Sequence, residues 1–363
     1  MICLEKLLGC LKNESNIDRM TLERSLNWNT NLHIPRSVNI VSNLKKYRIK
    51  KEYYSILAFV INMLFLIFWP VILIFLFIPI TRIEFNKKSI SGTIILGQLN
   101  LVKNYIGDND IYFLHPRSLL SYLNSNERIK LLFFCLFSFY KIILRDYKLA
   151  SQCYVLPELV GVHIVLDKTR FNELIFTNHY DRWATLFDQF DTANLKQIQH
   201  GQLLMSKKIP VSLKNIRSLV VNDKKSLLMF EKYILERKPK EVSVKQKTIN
   251  IEGIKSKVNF KTSLLLVGTP LNYELENKFV DNVLKTSNDI LVLIKPHPRF
   301  PITNYKSLIK RLNSKNVEII NYYPNVDKVV GLESSLCEEY RSLGYEVFDL
   351  NEGAIKFIID KLN

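Results

Sequence analysis

The sequence predicts an α/β protein built from two doubly wound domains, preceded by an apolar hairpin that enters a membrane. Three observations carry this expectation. Residues 53–80 hold no charged side chain, and their centre is almost pure Ile, Leu, Phe and Val. From Ser91 onward, short apolar runs alternate with helical stretches, the pattern of parallel strands joined by crossover helices. A charged stretch poor in core residues, 238–261, divides that alternation into a first domain over 91–240 and a second over 250–363.

Residues 1–52 are polar and basic with weak helical patterning, and no fold is expected there. Glu5 and Lys6 interrupt the first apolar run, so it does not read as a cleavable signal. With 51 Lys and Arg against 34 Asp and Glu, the net charge of +17 favours anionic partners. The basic residues are dispersed, however, and Asn and Ile are frequent too, a pattern that an AT-rich genome produces without selection for charge. The five cysteines form no Cys-x-x-Cys pair. Neither a disulfide framework nor a structural zinc site is expected, and free thiols fit a reducing cytoplasm.

The apolar segment is long enough to meet a bilayer. Lys45, Lys46, Arg48, Lys50 and Lys51 precede it, and Arg82, Lys87 and Lys88 follow. The positive-inside rule puts both ends on the cytoplasmic side, whereas a straight span would export everything after it. Pro70 splits the run into halves too short to cross alone, so a re-entrant hairpin is expected, with a single span as the alternative. Trp69 at the bend counts against a deep insertion. A second apolar run, 131–140, is flanked by Arg128, Lys130, Lys141, Arg145 and Lys148. It suits either an amphipathic helix in the headgroup layer or a buried helix of the first domain.

In the first domain the expected strands are 93–96, 111–114, 162–166, 174–177, 197–199 and 219–221. In the second, strands at 263–267, 290–294, 317–320, 328–331 and 346–350 alternate with helices at 274–285, 305–312, 335–343 and 353–362. Ligands of open α/β sheets bind beyond the carboxyl ends of the strands. Lys295-Pro296-His297-Pro298-Arg299 sits at such an end. Its prolines hold the backbone around His297, and a positioned imidazole beside Lys and Arg suits a phosphate-bearing leaving group. Glu333-Ser334-Ser335 lies where a strand meets a helix. A serine there is a helix cap, and the same helix start can bind phosphate. In the first domain, Thr177-Asn178-His179-Tyr180-Asp181-Arg182-Trp183 and Gln199-His200-Gly201 both follow strands. Asp181, His179 and His200 are alternative bases for an acceptor hydroxyl, though Asp181 can instead pair with Arg182 and His179 can be a simple surface residue. His115-Pro116 also follows a strand.

The phosphate-binding Gly-x-x-x-x-Gly-Lys-Ser/Thr loop, Gly-x-Gly-x-x-Gly, His-Glu-x-x-His and Gly-x-Ser-x-Gly do not occur. Asp108-Asn109-Asp110 could hold a divalent metal but reads better as a turn beside Gly107. Neither a metal nor another cofactor is expected. The charge alone would allow a nucleic-acid partner, yet the sequence has no recognisable motif for one.

In His297-Pro298 and Ser334-Ser335 the chain resembles bacterial surface-polysaccharide transferases of the glycosyltransferase B fold. These comprise sialyltransferases and polysialyltransferases, Kdo transferases of capsule assembly and teichoic-acid glycerophosphotransferases. Gln199-His200-Gly201 is similar to a His-Gly of the capsule and teichoic-acid enzymes. The resemblance covers roughly residues 92–363. It implies two Rossmann-like domains facing a cleft, with the donor nucleotide against Lys295, His297, Pro298, Arg299, Glu333, Ser334 and Ser335. It also implies transfer of sugar from a nucleotide donor, CMP-sugar first, to a lipid-linked or growing glycan such as capsule or O-antigen. The reaction would be inverting and metal-independent, on the cytoplasmic side of the inner membrane. The acidic-acidic-Gly motif of the sialyltransferases is not found, and Tyr180-Asp181-Arg182 is the nearest acidic site. The rivals are a CDP-glycerol glycerophosphotransferase and a non-catalytic membrane-anchored scaffold.

Overall fold

A computed structural model of the chain describes residues 3–86, 90–107, 110–201, 203, 205, 207–245, 249–255, 260–269, 273–287, 289–297, 305–306, 308–310, 315–332, 334–351 and 353–362. The backbone forms two compact units. Met1–Val41 with Ile49–Gln246 make the first, and Ser42–Arg48 with Lys247–Asn363 make the second.

The first unit contains helices α1 (Leu4–Leu26), α3 (Lys51–Thr81), α4 (Leu99–Val102), α5 (Ser125–Arg145), α6 (Leu156–Lys168), α7 (Arg182–Phe187) and α8 (Lys224–Met229). Helix α2 (Ser37–Lys46) runs across the boundary of the two units. The strands of the first unit are β1 (Ser91–Leu96), β2 (Ile111–Phe113), β3 (Arg170–Phe176), β4 (Asn194–Ile198), β5 (Ile216–Val221) and β6 (Glu241–Val244). They form one sheet in the order β2-β1-β3-β4-β5-β6, parallel throughout. Alternate residues feed separate cores on its two faces. Ile94, Leu96, Leu174, Phe176 and Leu219 face one, and Ile95, Ile175, Ile198 and Val220 the other. Burial on both faces explains why these strands read as continuous apolar runs. The order reverses at β1, with β2 on one side and β3 on the other. This is the switch point where open sheets leave a crevice.

Two expectations for this unit are corrected. Residues 1–52 are folded: α1 buries Leu7, Leu8, Leu11 and Leu22. Its buried face also includes Asn13, Asn16 and Asp18, which blurs the apolar stripe. Asn13 donates to Thr185 Oγ1 and to the Val211 carbonyl, both at 2.8 Å. Residues 162–166 are helix, not strand, because they lie within α6. That helix is enclosed all round, so its β-branched residues show no helical period. The uncharged segment is helical on both sides of the expected break. It is one helical stretch, α3, kinked at Phe68 (φ −105°, ψ 17°) just before Pro70, whose ring crowds the Leu66 carbonyl. By length and composition it is apolar enough to cross a membrane.

The second unit has strands β7 (Ile251–Glu252), β8 (Thr262–Val267), β9 (Ile290–Lys295), β10 (Val317–Ile319), β11 (Tyr323–Pro324), β12 (Lys328–Gly331) and β13 (Glu346–Asp349). Its helices include α9 (Tyr273–Thr286), α10 (Ser335–Ser342) and α11 (Ile355–Leu362). Its main sheet runs β10-β9-β8-β12-β13, again all parallel, and β7 pairs with β11. Leu264, Leu266, Val292, Ile294 and Val330 pack on one face. Leu265, Val267, Leu291, Leu293 and Val329 pack on the other. The switch point lies between β8 and β12. The α/β class with parallel sheets is as the alternation predicts. The expected helix at 305–312 falls partly outside the described residues. The stretch expected as a linker carries β6, the edge strand of the first sheet, and β7.

Candidate functional site

At the switch point of the first unit, backbone shape comes first. Gly97 follows β1 with φ +148°, and a Cβ there would stand 2.4 Å from Thr177 Oγ1. The close approach of β1 and β3 therefore needs glycine. Beyond β3 and β4, two buried glutamines hold the loops. Gln197 Nε2 donates to the carbonyls of Asn178 (2.6 Å) and His179 (2.7 Å). Gln199 Nε2 donates to Gly201 O (2.8 Å) and Ser226 Oγ (2.9 Å). Both glutamines are almost wholly buried. A fully buried amide in a parallel strand is a signal that sequence reading can use.

These loops bring two of the three candidate bases together. The rings of His179 and His200 lie 4.3 Å apart. His179 Nε2 accepts from the His200 backbone N–H at 2.7 Å, so the proton of the His179 ring sits on Nδ1. Burial, then the neighbouring His200, pushes its pKa well below the usual histidine range, and it is neutral. His200 Nδ1 contacts the Thr177 carbonyl, which can only accept, so Nδ1 carries a proton, and in the neutral ring Nε2 holds the lone pair. His179 is thus engaged in positioning, while half-buried His200 has the tautomer of a base. Asp181 is the N-cap of α7. Its Oδ1 accepts from Trp183 N and Ala184 N, both at 3.0 Å, and its Oδ2 accepts from Asn178 Nδ2 at 2.7 Å. The carboxylate is committed to structure.

Arg182 pairs not with Asp181 but with Glu14 of α1, which also accepts from the Arg182 backbone N–H at 3.4 Å. Burial raises the Glu14 pKa, and the guanidinium opposes it. The partners stand 168 positions apart, and nothing in the local sequence signals the pair. His115 caps the turn after β2 and meets Trp183 edge-on at 6.0 Å. Burial, then Arg117, lowers its pKa.

In the second unit, Lys295 ends β9 and His297 follows two residues later. Lys295 Nζ lies 4.7 Å from the centre of the Tyr323 ring, and partial burial lowers its pKa. Ser334 caps α10, its Oγ accepting from Leu336 N at 3.2 Å. The β9 and β12 ends belong to one carboxyl edge of the same sheet, so Lys295, His297 and Ser334 share that edge. Pro298, Arg299 and Glu333 lie outside the described residues, as does the side chain of Ser335. The sequence reading missed Glu276, at the start of α9 beyond β8. Its carboxylate accepts from Thr269 N (2.7 Å) and from Tyr305 Oη (2.5 Å), and burial lifts its pKa to about 7.

Among the described residues, no group of three or more His, Cys, Asp or Glu is placed to hold a metal ion. Asp110 Oδ2 instead accepts from Gly107 N at 2.7 Å, a turn contact. Asp108 and Asn109 lie outside the described residues.

No protein-family model matches the chain, and no curated protein matches it. Solved structures resemble it weakly. A UDP-N-acetylglucosamine 2-epimerase from Rickettsia bellii is 11% identical with a TM-score of 0.40, over 73% of this chain and 80% of that one. The wall teichoic acid polymerase TagF, soaked with CDPG, is 11% identical with a TM-score of 0.36, over 71% and 69%. The pneumococcal O-GlcNAc transferase GtfA, in complex with UDP and GlcNAc, is 12% identical with a TM-score of 0.35, over 49% and 41%. The chain thus spans only 41% of GtfA's length. Likeness at this level assigns neither family nor activity.

Proposed function

We propose that the chain is a glycosyltransferase of the B type. It moves a sugar from a nucleotide donor, CMP-sugar first, to a lipid-linked or growing surface polysaccharide such as capsule or O-antigen. The reaction takes place at the cytoplasmic face of the inner membrane. The observation that carries the reading is the chemistry at the carboxyl edges of the two sheets. One edge presents a histidine in a base-competent tautomer, and the other presents Lys295, His297 and the Ser334 cap at a helix start.

In this reading the donor phosphates meet Lys295, His297, Ser334 and the N–H groups opening α10. Charge develops on the departing nucleotide in the transition state, so these contacts favour that state most. His200 Nε2 takes the proton from the acceptor hydroxyl as its oxygen attacks the anomeric carbon and the nucleotide leaves from the opposite side. The configuration therefore inverts, and no metal is needed. His179 and the Thr177 carbonyl hold the His200 ring in place.

The thermal midpoint, measured with CMP, CDP, UDP and GDP in turn, tests this. A ligand at about a hundred times its Kd stabilises by about 2.7 kcal/mol, which moves the midpoint by a few degrees. A shift with CMP alone, lost in His297→Ala, supports the CMP-sugar donor. A shift with CDP and CDP-glycerol instead marks a glycerophosphotransferase, and one with UDP or GDP replaces the donor. No shift with any nucleotide in a folded sample overturns the transferase in favour of a scaffold. His200→Gln should keep the nucleotide shift and lose about 100-fold or more in turnover.

A further inference from the structure

The exposed apolar residues of the first unit are concentrated on two neighbouring helices. Along α3, Tyr54, Ala58, Asn62, Trp69, Leu73, Phe77 and Ile80 form one buried stripe that continues through the kink. Most of the remaining circumference is bare, with Ile56, Phe59, Ile67, Val71, Ile74 and Phe75 all exposed. Helix α5 adds Ile129, Phe133, Phe137, Tyr140 and Leu144, spaced as one face of a helix and exposed by 46–88%. The two helices pack on each other, Trp69 stacking on Phe139 at 4.3 Å. A helix apolar all round that buries only one stripe in protein has a second apolar medium to meet.

That medium cannot be crossed by α3, because the helix is tied to the same unit along its whole length. Near its start, Tyr54 Oη accepts from Ile34 N at 3.0 Å. In the first half, Asn62 Oδ1 accepts from Ser151 N at 3.1 Å. At its end, Arg128 of α5 donates to the carbonyls of Thr81 (3.0 Å) and Ile83 (2.7 Å). A spanning helix would have to leave these partners in water on one side.

We infer that α3 and α5 form a single platform lying in one leaflet, so that the chain enters and leaves the membrane on the same side. The inference rests on the membrane attachment proposed above and does not depend on the transferase chemistry. Charge selects an anionic lipid surface over a second copy of the chain. Lys50, Lys51, Arg82, Lys130, Lys141 and Lys148 are exposed around the platform, against Glu52 and Glu84. Two such rims brought together would repel, whereas anionic headgroups complement them.

The full chain is added to preformed phosphatidylcholine vesicles with and without phosphatidylglycerol, and binding is read by sedimentation. Phe133→Glu/Phe137→Glu should weaken binding roughly 10-fold or more while keeping the wild-type thermal midpoint and its response to nucleotide. Fluorophores placed through Val60→Cys, Ile74→Cys and Phe137→Cys, in a Cys3→Ser background, should all be quenched by shallow nitroxide lipids in the outer leaflet. The inference is overturned if positions 60 and 74 report opposite leaflets, or if the α5 double variant binds like wild type. It is equally overturned if the chain ignores both vesicle types and dimerises through this face. None of these outcomes changes the nucleotide result, so the two readings fail separately.

Discussion

His179 and His200 have the same side chain in contact with each other, yet the backbone gives them different tasks. One imidazole nitrogen of His179 is occupied by a backbone N–H, and one of His200 by a backbone carbonyl, which settles both tautomers. Residue type and strand-end position are legible in the sequence, and they bring these residues forward as candidates. The bonding that separates a positioning residue from a base is not legible, because it depends on which backbone atom each ring nitrogen meets. Asp181 illustrates the same limit, since its carboxylate caps α7. Glu276 carries a prediction at this scale. Its folded pKa of about 7 lies above its ordinary 4.5, raised by burial. The folded chain therefore holds its proton more tightly, and the stability this contributes is present below about pH 4.5 and lost as pH rises through about 7. Relative to Glu276→Gln, the wild type should lose roughly 1–3 kcal/mol between about pH 5 and about pH 8. Urea unfolding of both proteins at each pH checks this, and parallel pH dependences would count against it.

At the scale of single elements, the strands of the second unit are the most readable part. Both faces of its sheet are buried, so each strand is an unbroken apolar run bounded by polar turns. Helix α6 shows where this signal fails, since an enclosed helix rich in valine looks the same as an enclosed strand. Helix α1 fails for the opposite reason. It buries Asn13, Asn16 and Asp18 among its leucines, because distant groups satisfy Asn13 and Asp18, and Arg19 and Met20 of the same helix satisfy Asn16. Two substitutions probe element packing. Trp69→Ala should cost about 3–5 kcal/mol, because it empties the contact between α3 and α5. Gly97→Ala puts a methyl group against Thr177 in a backbone conformation that suits glycine. It should cost about 1–3 kcal/mol. Chemical unfolding measures both, and a neutral Gly97→Ala would mean that β1 and β3 separate more easily than their packing implies.

For the whole molecule, the decisive property is the separation of the cores. The first unit packs a large core on one face of its sheet and a small one on the other, and the second unit packs two cores of its own on the faces of its sheet. Units with separate cores unfold as separate cooperative blocks. Calorimetry should resolve two transitions, and a nucleotide bound through Lys295, His297 and Ser334 should raise only that of the second unit. A single transition that moves as one would contradict this division.

The alternation of short apolar runs sufficed for the α/β class and the parallel sheets, and strand-end position for the edges where His200, Lys295 and His297 lie. Hydropathy sufficed to single out 53–80. These are local properties, carried by neighbours along the chain. The kink of α3 follows from Pro70 and is legible in the same way. Tertiary structure alone decided that α3 is docked along one unit, that α1 belongs to the first core, and that Arg182 pairs with Glu14. It also decided which histidine nitrogen holds a proton. Each of those outcomes depends on burial and hydrogen bonds between residues far apart in the chain, and their energies exist only once the fold has brought the partners together.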